Sequence, residues 1–132
     1  MRIAAGMPPA LESLPTPRGA AMEVRLYAED PLRNFQPSPG TLTEVIFPDQ
    51  EWVRVDSWIS AGSEVSPHYD PMLAKLIVHG SDRADALQKL QQALDATSLG
   101  GIASNLEYLR SITRWQRFVD GDVATQALNS FD

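Results

Sequence analysis

The 132-residue sequence contains no cysteine, and this absence excludes several classes of protein. Without cysteine the chain has no disulfide framework, no cysteine-ligated zinc site, no iron–sulfur cluster and no thiol nucleophile. Positive charge is also scarce, since 11 lysines and arginines stand against 17 aspartates and glutamates, for a net charge of −6. A general nucleic-acid-binding protein needs a basic face, so we do not expect that class.

Long apolar runs and nucleotide-binding glycine loops are missing as well. No run approaches the ~20 apolar residues that a membrane helix needs, and the N-terminus has no signal-peptide core. We therefore expect a cytoplasmic protein that does not contact membranes. Neither of the common phosphate-binding glycine motifs occurs. His68 and His79 lack the carboxylate spacing that would complete a metal triad, so no metal site is predicted.

The length of the chain fits one domain, with predicted strands first and helices afterwards. Prolines concentrated in residues 1–19 indicate an irregular N-terminal arm or linker without helix or central strand, and residues 20–132 form the predicted domain. Period-two alternation and apolar runs predict strands at residues 21–28, 41–47, 52–58 and 72–79, the last of them central. Residues 35–40 are predicted to be a rigid turn and residues 61–65 a loop.

Helices are predicted in the second half of the chain. Apolar residues at 3–4-residue spacing predict a helix that begins at Ser81 or Asp82 and stops before Gly100. Ser104 and Glu107 match a capping box, which predicts a second helix that runs to about residue 113 or 115, and residues 123–128 are expected to form a short turn. Strands followed by helices predict an α+β fold, an antiparallel sheet with helices packed on one side.

Two places in this pattern are candidates for chemistry. The alternation in the first strand puts Glu23, Arg25 and Tyr27 on one face, where a rigidly held guanidinium suits an anionic oxygen ligand. The alternative is an ordinary cross-strand ion pair on a solvated face. Asp70, next to Tyr69 in a proline-rich segment, either orients an arginine or a ligand, or caps a turn through its own backbone.

Several longer motifs, in order along nearly the whole chain, closely resemble the carboxyl-terminal domain of biotin carboxylase. They are RG (18–19), MEVRLYAEDP (22–31), NFQPSPG (34–40), AG (61–62), YDPMLAKLI (69–77), DR (82–83), GI (101–102) and NL (105–106). Within this family, FQPSP (35–39) and LNSF (128–131) look most like urea carboxylase, the biotin-dependent half of urea amidolyase. The family usually has histidine after the Arg-Gly pair, where this chain has Ala20, a change that we interpret as local repacking.

The resemblance implies a part in the ATP-dependent carboxylation of biotin with bicarbonate. In this family a preceding ATP-grasp domain carries the nucleotide and metal sites, so the chain is not expected to catalyse the reaction alone or to hold a cofactor. Biotin, ATP and Mg or Mn would belong to the parent enzyme. The implied partners are the ATP-grasp domain, a biotin carboxyl carrier domain and, in a homodimer, a second copy.

The resemblance also assigns roles by position. Arg25 aligns with the family arginine that faces the biotin and phosphate site, with Glu23, Tyr69 and Asp70 as supporting residues. Arg54 aligns with an arginine near the two-fold dimer contact. The alternatives are the same domain of an acyl-CoA or pyruvate carboxylase, or a stand-alone dimerisation module that kept the fold without the chemistry.

Overall fold

The computed structural model describes residues 3–8 and 13–131. Residues 1, 2 and 9–12 of the predicted arm and residue 132 of the predicted domain lie outside the described residues. The arm is not free of helix, because Ile3–Ala5 forms one turn of 3₁₀ helix. This turn closes with a hydrogen bond from the Gly6 amide to the Ile3 carbonyl and precedes the first proline, Pro8, so the prolines do not oppose it.

Nine strands and three α-helices follow within the described residues. The strands are β1 (Ala20–Tyr27), β2 (Glu29–Asp30), β3 (Gln36–Pro37), β4 (Gly40–Thr41), β5 (Glu44–Ile46), β6 (Val53–Ser57), β7 (Glu64–Val65), β8 (Met72–Gly80) and β9 (Ser98–Gly100). The helices are α1 (Arg83–Asp95), α2 (Leu106–Arg114) and α3 (Gln116–Asp120), with 3₁₀ turns at Pro31–Arg33 and Ala127–Ser130.

The centre of the fold is an antiparallel sheet in the order β1–β8–β6. The predicted central strand is confirmed as β8, in which Leu73, Leu76 and Val78 are almost completely buried. α1 packs across β8 and β1, and its predicted apolar stripe is buried: Ala86, Leu87, Leu90, Ala93 and Leu94. Asp82 caps this helix, as predicted, and its carboxylate accepts a 2.9 Å hydrogen bond from the Asp85 amide.

The entry into β1 explains the Arg-Gly motif. Gly19 has φ +68°, and a Cβ atom there would lie 2.1 Å from the Gly80 carbonyl oxygen. Glycine is therefore required where the arm turns into the sheet. Ala20 then pairs with Gly80 at the first position of the ladder, half-buried.

The connections between the long strands are more ordered than predicted. The predicted strand 41–47 is split into β4 and β5, and the predicted turn 35–40 contains β3 and the start of β4. β2 pairs with β3, and β4 pairs with β7 inside the predicted loop 61–65. These ladders are two residues long, too short for period-two alternation to reveal, and a proline fits such an edge.

The end of α1 was also predicted wrongly. The helix stops at Asp95, and residues 98–100 form β9, which pairs with β5. The Arg110 guanidinium, from α2, donates hydrogen bonds to the carbonyl oxygens of Leu94 and Thr97, both at 2.8 Å from Nη2. A side chain from another helix thus adds donors to the carbonyls where the helix ends, although Leu94 O also accepts the Thr97 amide at 3.2 Å.

The start of α2 differs from the predicted capping box. The N-cap residue is Asn105, not Ser104, and the Glu107 carboxylate pairs with Arg110 instead of returning to the cap. α2 ends at Arg114 within the predicted range. α3 was not predicted, and the expected turn at 123–128 is displaced to Ala127–Ser130. Phe131 packs edge-to-face on Tyr108 and on Trp115, which holds this last segment against α2.

Candidate functional site

The face of the sheet opposite α1 carries most of the candidate side chains. Alternation along β1, β8 and β6 turns five charged residues to this side, which we call the charged face: Glu23, Arg25, Arg54, Asp56 and Lys75. The register places Arg25, Lys75 and Asp56 in one row across the three strands. With three cations and two carboxylates this face carries a net charge of +1, although the whole chain carries −6.

Arg25 lies at the first strand of this face, as the alternation predicts. Its Nε atom donates to Glu23 Oε1 at 3.0 Å, and its side chain remains 58% exposed. The hydrogen bond to Glu23 raises the pKa of Arg25 above its already high ordinary value. The result is a permanent cation that is held through its inner nitrogen and is open to anything that covers the face.

Arg54, Asp56 and Lys75 form a second group. Arg54 binds Asp56 through two contacts, Nε–Oδ1 at 2.8 Å and Nη2–Oδ2 at 3.1 Å, and Lys75 Nζ lies 3.2 Å from the same Oδ2. The hydrogen bond from Arg54 lowers the pKa of Asp56, with a further contribution from Lys75, and raises the pKa of Arg54 in turn. The Arg54 side chain is 74% exposed, so this side of β6 is open to solvent.

The Asn105 side chain, at the start of α2, binds the backbone of β1 along the edge that does not pair with β8. Asn105 Oδ1 accepts a 2.9 Å hydrogen bond from the Tyr27 amide, and Asn105 Nδ2 donates to the Arg25 carbonyl oxygen at 3.1 Å. The Asn105 amide also donates to the Tyr27 carbonyl oxygen at 3.2 Å. Asn105 is 8% exposed, so these bonds form with little competition from water.

Tyr69 and Asp70 lie in the turn that leads into β8. Asp70 Oδ1 accepts a 2.8 Å hydrogen bond from the Met72 amide, which is the turn-capping alternative stated above. Met72 is the β8 partner of Tyr27, so this turn lies at the end of the sheet that also bears Arg25. Tyr69 is 81% exposed. In the described residues the Asp70 carboxylate organises its own turn, and its hydrogen bond is not with Arg25.

Two residues of this site escaped the sequence reasoning. Lys75 and Asn105 entered the sequence analysis only as parts of motifs, YDPMLAKLI (69–77) and NL (105–106). The alternation of Lys75 with the buried Leu76 and Val78 was the available signal for the charged face. No local pattern indicates that an asparagine 78 residues after Tyr27 binds that strand.

The described residues also bear on the requirements of a metal site and of a membrane-spanning helix. Within residues 3–8 and 13–131, no three histidine, aspartate or glutamate side chains are placed to hold a metal ion. None of the helices in these ranges is long and apolar enough to cross a membrane.

The comparison with known families agrees with this architecture. The family model for the biotin carboxylase C-terminal domain matches residues 23–130. The chain therefore belongs to the biotin carboxylase C-terminal domain family. The predicted α+β class, an antiparallel sheet with helices on one side, is confirmed together with the family resemblance.

Within this family, the chain is similar to urea amidolyases and urea carboxylases. The chain is 51% identical to the urea amidolyase of Saccharomyces cerevisiae over 132 residues. The crystal structure of the Kluyveromyces lactis urea carboxylase is 51% identical and superposes with a TM-score of 0.92 over 99% of this chain. A biotin carboxylase domain dimer of the Hydrogenobacter thermophilus 2-oxoglutarate carboxylase, in complex with MgADP, ADP and bicarbonate, is 33% identical over 85% of this chain with a TM-score of 0.83.

All these relatives are much longer than the chain. The match covers 99% of this chain but 7% of the S. cerevisiae urea amidolyase. It covers 12% of the K. lactis urea carboxylase and 25% of the H. thermophilus domain. The sequence motifs pointed to urea carboxylase, and that resemblance is confirmed.

Proposed function

We propose that the chain works as the C-terminal domain of the biotin carboxylase component of a urea carboxylase, in which biotin is carboxylated from bicarbonate at the expense of ATP. The observation that carries the proposal is the 51% identity with urea amidolyase across 99% of the chain. Because the chain spans only 7% of that relative, the domain is one part of the machinery and is inactive alone.

The described residues do not fit a nucleotide or metal site of their own. The chain lacks the glycine loops that cradle phosphates, and no three metal-ligating side chains converge within the described ranges. The H. thermophilus relative carries MgADP and bicarbonate in a domain four times the length that this chain covers. We assign ATP and Mg or Mn binding to a preceding ATP-grasp domain and delivery of biotin to a carrier domain.

The contribution of this chain is the cation at Arg25. Arg25 would face the groups of this reaction that carry negative charge, the ureido oxygen of a bound biotin and the phosphate of carboxyphosphate, and would offer its guanidinium to them. A guanidinium that is already oriented by Glu23 stabilises this charge without reorganising, which is the basis of electrostatic preorganisation. An arginine is charged at every working pH, and the bond to Glu23 raises the pKa of Arg25 further. Arg25 therefore acts as a fixed donor and never as a base.

The remaining residues have supporting roles. Glu23 fixes the Nε edge of Arg25 and leaves the rest of the guanidinium available to a ligand. Asp70 fixes the turn before β8, and the exposed Tyr69 ring next to it offers a contact for the neighbouring ATP-grasp domain.

Arg54 is proposed as a contact in a homodimer of the parent enzyme. Its guanidinium is 74% exposed on the charged face, and the pair with Asp56 presents both signs of charge to a second copy. The H. thermophilus biotin carboxylase domain was crystallised as a dimer, which supports this assignment.

The test is an assay of the full-length protein that contains this chain. ATP hydrolysis with bicarbonate should increase when urea is added and should not respond to acetyl-CoA. A response to acetyl-CoA without a response to urea would overturn the assignment to urea carboxylase. The reading frame upstream should also encode an ATP-grasp domain, and a stop codon there would instead favour a stand-alone dimerisation module.

A further inference from the structure

Asn105 makes three hydrogen bonds to the outer edge of β1, one to Arg25 and two to Tyr27. Its side chain binds the Arg25 carbonyl oxygen and the Tyr27 amide, and its own amide binds the Tyr27 carbonyl oxygen. We propose that Asn105 is a positioning residue for Arg25, which it places through the backbone of β1. The inference rests on the proposed function, in which Arg25 is the cation of the biotin site.

The sheet itself leaves this part of β1 weakly held. β1 is an edge strand, with β8 as its neighbour on one side in the described residues. The ladder with β8 is regular up to Leu26, but then Tyr27 pairs with Met72, so Leu73 has no partner. Such a bulge disrupts the ladder and bends the strand locally. Asn105 supplies hydrogen bonds from the opposite side at this irregular point.

The asparagine amide is directed to β1 and not to its own helix. Asn105 occupies the N-cap position of α2, where asparagine normally accepts a hydrogen bond from the first turn, yet its side chain makes no capping bond. The site needs one acceptor for the Tyr27 amide and one donor for the Arg25 carbonyl. Asparagine offers both on a short side chain, whereas aspartate lacks the donor and glutamine is one methylene longer.

The direction of the Arg25 side chain follows from the position of its backbone. Glu23 holds only the Nε end of the guanidinium, two residues away on the same strand, and moves with that strand. A shift of β1 would therefore displace both residues together relative to the reacting atoms. Displacements of about 1 Å can lower an enzymatic rate by about 10²-fold.

The test is a double-mutant cycle in the full-length enzyme. Asn105→Ala is expected to lower biotin-dependent ATP cleavage about tenfold or more, with the KM for ATP and the biotin-independent ATP cleavage unchanged. In an Arg25→Ala background the same substitution should cause no further loss, because Asn105 acts through Arg25. Thr97→Val is the matched control, since it also removes a buried side-chain bond to a backbone carbonyl, that of Ala93 at 2.8 Å.

Each outcome has a distinct meaning. Additive losses from Asn105→Ala and Arg25→Ala, or an equal loss of biotin-independent cleavage, would overturn the inference and leave the proposed function standing. An unchanged Arg25→Ala enzyme would overturn the inference and the proposed role of Arg25, while the assignment to urea carboxylase is tested separately by the response to urea. If Asn105→Ala fails to fold, Asn105→Asp keeps the acceptor for Tyr27 and loses the donor to Arg25. It should then show the same selective loss, and full activity of a folded Asn105→Asp enzyme would overturn the inference.

Discussion

Arg25 and Lys75 are cross-strand partners in the β1–β8 ladder, so two cations lie directly opposite each other. The Arg25 carbonyl is bonded to Asn105 on the outer edge of β1. Arg25 and Lys75 therefore form a pair without mutual backbone hydrogen bonds, the kind in which side chains approach most closely. Like charges in this arrangement destabilise a sheet. Two carboxylates offset the repulsion, because Glu23 binds Arg25 and Asp56 draws Lys75 Nζ to 3.2 Å.

This relationship predicts a pH-dependent role for Asp56. Its folded-state pKa is lowered by Arg54 and Lys75, so its charge contributes stability above the unfolded pKa of about 3.9, and that contribution is lost as the pH falls through the lower folded pKa. Asp56→Asn should therefore be less stable than the native chain at pH 7, and the difference should shrink below about pH 4. Urea unfolding curves of the two proteins at pH 7 and below about pH 4 measure this difference in the free energy of unfolding. A difference that is constant with pH would show that the loss comes from packing and not from charge.

The proposed role of Arg25 predicts a large catalytic effect. Arg25→Ala in the full-length enzyme should lower biotin-dependent ATP cleavage by about 10²-fold or more, the loss expected when one preorganised donor is removed. Arg25→Lys, which keeps the charge but not the planar fork, should recover part of the rate. Arg114→Ala is the control, because it removes an arginine that pairs with Asp95 on the helical side. Unchanged turnover in Arg25→Ala would remove Arg25 from the site.

The sequence predicted those parts of the fold that local patterns determine. β8 and α1 are long enough for their apolar periodicity to be read directly, and the alternation in β1 correctly placed Glu23 and Arg25 on one face. The pairing of β5 with β9 was missed because it joins residues 54 apart, as in the ladder pair Val45 and Leu99, in strands of three residues. No local signal carries that pairing.

The candidate site was predicted in part for the same reason. The row of Arg25, Lys75 and Asp56 depends on the register between three strands, and a bulge at Leu73 shifts that register at one end. Asn105 was not predicted as the helix cap or as a partner of β1, because Ser104 and Glu107 satisfy a capping-box pattern locally. In the folded chain Glu107 forms an ion pair with Arg110, while the Asn105 side chain accepts a hydrogen bond from the Tyr27 amide in β1. A tertiary contact outweighs the local preference at Asn105, whereas at Glu107 a partner one turn along the same helix does so.

The chain alone is predicted to be inactive. With ATP, bicarbonate, Mg and free biotin, the 132-residue chain should release no phosphate above the background, because the proposed nucleotide and metal sites lie in another domain. A coupled phosphate assay measures this. Phosphate release that persists through purification and disappears in Arg25→Ala would contradict the proposed assignment of ATP binding to an ATP-grasp domain.

Arg54 is predicted to affect assembly more than chemistry. Arg54→Glu adds a carboxylate next to Asp56, the third on the charged face. It also removes the bidentate ion pair between Arg54 and Asp56. Like charges brought together across an interface oppose association, so the full-length enzyme should sediment with a larger monomer fraction. Arg114→Glu, an equal charge change on the helical side, should leave the distribution unchanged. An unaltered dimer in Arg54→Glu would exclude Arg54 from the interface.

Arg110 is predicted to contribute more to stability than Arg114, because it binds the end of α1. It is 23% exposed and donates two hydrogen bonds to the Leu94 carbonyl and one to the Thr97 carbonyl. Arg110→Ala removes these charge-assisted hydrogen bonds and leaves the Leu94 carbonyl with the Thr97 amide, so it should lower the free energy of unfolding by about 1.5–3 kcal/mol. Arg114→Ala removes a more exposed pair with Asp95 and should cost at most about 1 kcal/mol. Urea unfolding of the two variants compares them directly, and equal losses would mean that the carbonyls of α1 find water when Arg110 is gone.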